Sequence, residues 1–183
     1  MTERAYTEWW QAHQNRVVES DDVRVDVFVR SLGAPTASQT AQAAVLERLD
    51  ELKERDRIDR FTVQVWGDRL YPEERCAQSP VGRFLRNKVS ECERWGDTTP
   101  GVALAFESKT CKPFVAEREF QCIVLPRICL ATYVDGELDG VVPCSFGEED
   151  VTVHDYLLAL TELASDPQEA RERGSTVTAV EGT

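Results

Sequence analysis

Hydrophobic and polar positions alternate at Val23, Val25, Val27 and Val29, set against Arg24, Asp26, Phe28 and Arg30. Period two over this length predicts a strand with one buried face. Phe61, Val63 and Val65 repeat the pattern, and Trp66-Gly67 closes that second strand. Between the two the spacing becomes helical. Ala41, Val45, Leu49 and Leu52 form an apolar stripe, and Glu47, Arg48, Glu51 and Arg55 lie on the wet side. Ser31 to Pro35 reads as a turn, and Thr36 with Gln39 has capping-box spacing. A strand, a helix and a strand with short joints predict a parallel, right-handed crossover.

Tyr71 to Gln78 reads as a loop. Ser79-Pro80 predicts a helix start, with Ser as cap and Pro where its missing N–H costs nothing. Val81, Phe84, Leu85, Val89, Cys92 and Trp95 would form its apolar face, and Gly96 its stop. Residues 97–121 carry no clear period and are assigned irregular structure, with one short element at Val102–Phe106. The run from Cys122 to Cys144 centres on Asp135-Gly136, a two-residue hairpin signal because both turn positions need positive φ. That register sets Cys129 opposite Val142 and Cys144 opposite Arg127. Both faces of the first arm are apolar, so it should be covered on two sides. Asp150 or Thr152 then caps a last helix, with Val153, Tyr156, Leu157, Leu160 and Leu163 inward and His154 in solvent. At the N-terminus, Tyr6, Trp9, Trp10, His13 and Val17 mark an amphipathic helix that either packs on the domain or pairs two subunits. The expected organisation is an N-terminal helical arm (1–20), an α/β domain (21–164) and an acidic tail (165–183) without apolar periodicity, read as flexible.

Composition changes the picture in two ways. The chain has 183 residues and a formal charge of −12, and four lysines stand against 17 arginines. Few lysines, many carboxylates and a single Met fit a proteome adapted to high salt, where ions screen repulsion; an ordinary acidic cytosolic protein is the competing reading. In low salt such a charge disfavours nucleic acid, whose phosphates need a basic face. The six cysteines stand at 76, 92, 111, 122, 129 and 144 with no Cys-x-x-Cys spacing, so buried thiols are expected rather than a redox motif or a metal site. No membrane span or secretory pattern is expected, and the cytoplasm is the expected location.

The element order β-α-β-α-β-β-α, a four-stranded mixed sheet flanked by helices, resembles the thioredoxin-like core. Leu125-Pro126 entering a strand and Val134-Asp-Gly-Glu137 turning it add a local likeness. The resemblance implies a cis bond before Pro126, facing the reactive loop. Here the turn Ser31–Pro35 has no cysteine, so the scaffold would be redox-inactive. A second resemblance is closer in sequence. Val29-Arg30-Ser31-Leu32, Val65-Trp66-Gly67, Val124-Leu125-Pro126, Cys129-Leu130-Ala131 and Tyr133 to Leu138 are similar to an uncharacterised haloarchaeal protein family, sometimes labelled as a helix-turn-helix domain.

Three functions follow as expectations. The first is a non-catalytic binding or regulatory protein without cofactor. Its candidate cleft comprises Arg30, Ser38, Pro126 and Arg127, beside free N–H groups at a helix start that favour an anion. Its partner would be an unknown protein or a small anionic ligand, and a homodimer through the aromatic stripe is a further expectation. The second is a DNA-linked transcriptional regulator using Arg83, Arg86 and Lys88. The third is a thiol-dependent oxidoreductase at Cys129 and Cys144, which buried neutral thiols disfavour.

Overall fold

A computed structural model describes residues 2–33, 36–73, 78–112 and 119–163; the side chains of residues 2–3 and 36–39 lie outside that description. The elements are α1 (Thr2–Glu19), β1 (Val23–Val29), α2 (Thr36–Glu54), β2 (Arg60–Val65), β3 (Arg69–Leu70), α3 (Pro80–Thr98), β4 (Val102–Leu104), β5 (Glu107–Cys111), β6 (Phe120–Val124), β7 (Ile128–Val134), β8 (Glu137–Val142), β9 (Cys144–Phe146), β10 (Glu149–Val151) and α4 (Val153–Glu162). The main sheet runs β2-β1-β7-β8. In it β1 and β2 are parallel, as the short crossover requires, while β7 is antiparallel to both β1 and β8. Mixed α/β architecture around a four-stranded mixed sheet is thus the observed fold class.

One face of this sheet carries the valines of β1. Tyr156 of α4 bonds Thr132 there, opposite Val25, so α4 covers this face, and α2 packs against α4. Leu49, Leu52 and Leu160 are fully buried beneath them. The other face was expected to be wet, yet Asp26 and Phe28 are buried too. The reason is α3, which lies across this face and places Lys88 against Asp26 and Tyr133.

Ser79 caps α3 as its sequence indicates, its Oγ accepting from the Gly82 N–H at 3.0 Å. The helix runs through Gly96 to Thr98. Gly96 is not a stop; a Cβ there would meet Leu104 at 3.3 Å, so its use is close packing on β4. The Asp135-Gly136 turn has the expected positive φ values, 52° and 82°. The hairpin register, however, shifts between Thr132 and Tyr133, so that Leu130 faces Val142 and Thr132 faces Gly140. Neither expected cysteine pairing survives that shift. Asp139 is the extra residue, and a bulge of this kind re-aims a side chain. Asp139 is turned to α1, where His13 Nδ1 lies 2.6 Å from its Oδ2 and Arg16 2.6 Å from its Oδ1.

The stretch expected to be irregular holds strands. β4 joins β9 and β10 in one small sheet, and β5 and β6 join β3 in another. The cis bond is Val142–Pro143, not the one before Pro126. In α1, Trp9, His13 and Val17 are buried in the chain's own core, and Tyr6 and Trp10 pack against it, so the stripe is used within the chain rather than left for a second copy. The Thr36–Gln39 capping box, Cys76 and the tail from 165 lie outside the described residues.

Candidate functional site

The loops at the ends of β1, β2 and β6 form one hydrogen-bonded knot. Trp66 N–H donates to Val29 O at 3.0 Å, and Arg30 N–H donates to Arg127 O at 3.1 Å. The Arg30 guanidinium grips Leu125 O from Nε and Nη2, at 3.1 and 2.6 Å, and Trp66 Nε1 donates to Pro126 O at 3.2 Å. Trp66 stacks on Phe28 at 4.8 Å. Of the expected cleft residues, Arg30, Pro126 and Arg127 therefore meet. Arg30 is committed to a main-chain carbonyl, a partner the sequence reading did not foresee, whereas Arg127 is exposed. Ser38 lies in the first turn of α2, and its side chain is outside the described residues.

Beside this knot, where β7 begins, a groove of about 420 Å³ opens between α2 and α4. Ala41, Ala44, Val45, Ile128, Val153 and Leu157 line it. The Arg48–Glu51 ion pair, at 2.7 Å, and His154 stand along its walls. Two alanines one turn apart on α2 leave no side-chain bulk there, which permits close approach by an incoming helix. Thr152 shapes the α4 end: its Oγ1 accepts from the Asp155 N–H at 3.1 Å and donates to the Asp155 carboxylate at 2.6 Å.

Two interior polar clusters flank the sheet. Under α3, Lys88 Nζ donates to Tyr133 Oη at 2.8 Å and to Glu91 at 3.1 Å, and Tyr133 Oη donates to Glu91 at 2.9 Å. Asp26 lies 3.7 Å from Lys88 and accepts from Thr62 at 3.0 Å, while Arg24 lies over the Tyr133 ring at 4.1 Å. Burial, with Glu91 beside it, raises the Tyr133 phenol. Under α1, His13 is fully buried between Asp139 and Tyr156 Oη, the latter at 2.8 Å, and Tyr156 Oη lies 2.7 Å from Thr132. In the tautomer that donates from Nδ1 to Asp139, Nε2 accepts from Tyr156 and Tyr156 accepts from Thr132, so each donor finds one acceptor. Sequence reading placed His13 on the stripe but missed its partner, 126 residues away, because a register shift has no local signature.

Among the described cysteines, Cys92, Cys129 and Cys144 are buried free thiols. Burial pushes Cys92 and Cys144 up to about 12 and Cys129 well above its ordinary value. That agrees with the inert-thiol reading for these three. It fails for Cys111 and Cys122, which are joined as a disulfide. The physical reason is cross-strand register: Lys109 faces Cys122 and Cys111 faces Phe120, so the two sulfurs sit diagonally on one face. Among the described residues, no cluster of three metal-ligating side chains occurs, and no helix is long and apolar enough to cross a membrane.

On α3, Arg83 is exposed, Arg86 is partly buried and Lys88 is taken up by the cluster beneath the helix. Val81 and Phe84, expected to face the core, are 65% and 39% exposed beside them.

A family described as a helix-turn-helix domain matches residues 18–165. The chain belongs to this family. No curated protein and no solved structure matches it. The helix-turn-helix motif joins two helices through a three- to four-residue turn. Among the described residues every pair of successive helices in this family member has at least one strand between them. The family description is therefore not matched here by a tight two-helix unit within the described residues.

Proposed function

We propose that this member of the helix-turn-helix domain family is a non-catalytic regulatory binding protein, built on a thioredoxin-like scaffold and working in the cytoplasm of a salt-adapted archaeon. The sheet order β2-β1-β7-β8, with β7 reversed, supports the scaffold reading. The excess of carboxylates and scarcity of lysine support the lineage. One observation carries the function: the apolar groove between α2 and α4, floored by Ala41, Ala44 and Ile128 and edged by the Arg48–Glu51 pair. A groove of this composition suits the apolar face of an amphipathic helix from a partner protein, with rim charges setting its direction.

Titration calorimetry in high salt with a leucine-rich amphipathic peptide tests this. Binding is expected with the native chain and loss of it with Ala44→Glu, a change at an exposed position that leaves the core alone. Equal heats from both proteins, or none from either, would sink the groove reading. Inorganic phosphate serves as the second probe, since Arg127 and the α2 N-terminus are the expected anion site; an Arg127→Ala variant separates that contact from the groove.

Direct DNA contact is the second reading, favoured by the family description and by Arg83 and Arg86 on α3. Duplex DNA anisotropy across a KCl series decides it. A paired Arg83→Ala, Arg86→Ala variant should reduce both affinity and the salt slope if this helix meets phosphates.

A further inference from the structure

We infer that Cys111 and Cys122 form a thiol–disulfide exchange site, in which Cys111 is the reacting sulfur and Arg69 holds its thiolate. The two cysteines occupy diagonal positions on one face of the β5–β6 pair, with Cα atoms 6.3 Å apart, within bridging reach. They are unequal. Cys111 ends β5 and is partly exposed, whereas Cys122 lies inside the sheet at 1% exposure. The Arg69 Nη1 group, on β3 beyond β6 in the same sheet, lies 3.8 Å from the Cys111 sulfur. A partly exposed sulfur beside a guanidinium is the environment in which a thiolate forms near neutral pH. Cys92, Cys129 and Cys144 have the opposite setting, each enclosed in the core, so reactivity is confined to one end of the molecule among the described cysteines.

The reductant is a dithiol, either a small molecule or a protein pair. Its first thiolate attacks the Cys111 sulfur, the Cys111–Cys122 bond breaks, and Cys122 leaves as a thiolate that takes a proton. The second dithiol sulfur then attacks the first within the mixed disulfide, and Cys111 leaves as a thiolate beside Arg69. Two electrons and one proton pass to the protein, the dithiol's second proton goes to solvent, and the dithiol becomes a disulfide; oxidation runs the same steps in reverse. Because Cys122 must leave into a buried setting, the site is suited to slow sensing rather than rapid turnover. The response has a defined outlet. Leu125 follows β6 directly, its N–H donates to Asp68 O at 2.9 Å, and its carbonyl is the one Arg30 holds. Opening the β5–β6 tie therefore acts on the knot beside the α2–α4 groove.

Alkylation mapped by mass spectrometry on the full chain, before and after dithiothreitol under native conditions, tests the site. Cys111 and Cys122 are expected to be protected before reduction. Afterwards Cys111 should label about tenfold faster than Cys122, with Cys92, Cys129 and Cys144 still protected. In reduced Arg69→Gln, Cys111 labelling at neutral pH should fall about threefold to tenfold and converge with the native rate at alkaline pH; Arg69→Lys should keep most of the native profile. Continued protection of Cys92 reports that each variant is folded. Free Cys111 and Cys122 in protein isolated in air, a pair that yields only in denaturant, or a pH profile unchanged by Arg69→Gln would each overturn the proposal.

Discussion

His13 and Asp139 meet at 2.6 Å inside the protein, one from the first helix and the other from a bulge in the last strand of the main sheet. Trp9 stacks on the imidazole at 5.3 Å, and Tyr156 closes its far side. Removing Asp139 leaves Nδ1 of the enclosed imidazole without a partner, and removing His13 empties its buried site and leaves Asp139 with Arg16 alone. His13→Ala is therefore expected to lower unfolding free energy by about 3–5 kcal/mol, and Asp139→Ala by a similar amount. Chemical denaturation of both single variants and the double variant checks this, since the pair predicts a double loss well short of the sum.

Gly140 is fitted to the same imidazole. A Cβ at this position would sit 3.2 Å from His13 Cε1 and 3.5 Å from Trp9. His13 is pinned at both nitrogens and cannot swing aside, so Gly140→Ala should cost about 1–3 kcal/mol. Thermal melting should show the loss in the native protein and a smaller one in a His13→Ala background.

Lys88 is a structural cation rather than a free one. Its amine serves Tyr133, Glu91 and Asp26 together; Lys88→Ala would remove all three contacts, with Asp26 keeping Arg24 at 3.3 Å and Thr62. A loss of about 2–4 kcal/mol is expected. Denaturant midpoints should move for this variant and hardly at all for Arg83→Ala, which separates fold from any contact made by the outer face of α3.

Alkaline pH should weaken the fold through the enclosed thiols. Cys92 and Cys144 titrate at about 12 when folded, against 9.0 when unfolded, because burial disfavours the thiolate. Their contribution is whole below pH 9 and falls as pH rises toward 12, since the unfolded chain loses those protons first. At pH 10.5 each should have given up about 2 kcal/mol. Denaturation between pH 8 and 10.5 checks the direction, and a Cys92→Ala, Cys144→Ala variant should show a flatter profile.

The parts of the fold that sequence made legible are those whose signals are local. The strands β1 and β2, the Ser79 and Thr152 caps and the Asp135-Gly136 turn all reappear as read, although β1 is buried on both faces and Val63 and Val65 of β2 are exposed. Three-residue strands such as β9 and β10 are too short to show a period; within residues 97–121 the short element read at Val102–Phe106 contains β4, whereas β5 (Glu107–Cys111) is polar throughout except at its end and shows no alternation. The polar face of β1 misled because Arg24 and Asp26 look solvated until α3 supplies Lys88 and Glu91 from another part of the chain. Of the candidate site, Arg30, Pro126 and Arg127 were read as neighbours, and they are joined in the knot. The groove between α2 and α4 was invisible, since Ala41 and Ala44 are unremarkable helix residues until α4 stands opposite. Likewise the disulfide depends on strand register, which no spacing of cysteines announces.

The family match begins at residue 18, yet α1 supplies the imidazole that fills the pit over Asp139 and Tyr156. A fragment trimmed to those limits would lose His13 together with Trp9 and Trp10, leaving the Asp139 carboxylate and the Tyr156 phenol without the imidazole between them. Expression boundaries for this protein therefore belong ahead of Tyr6, not at the edge of the family match.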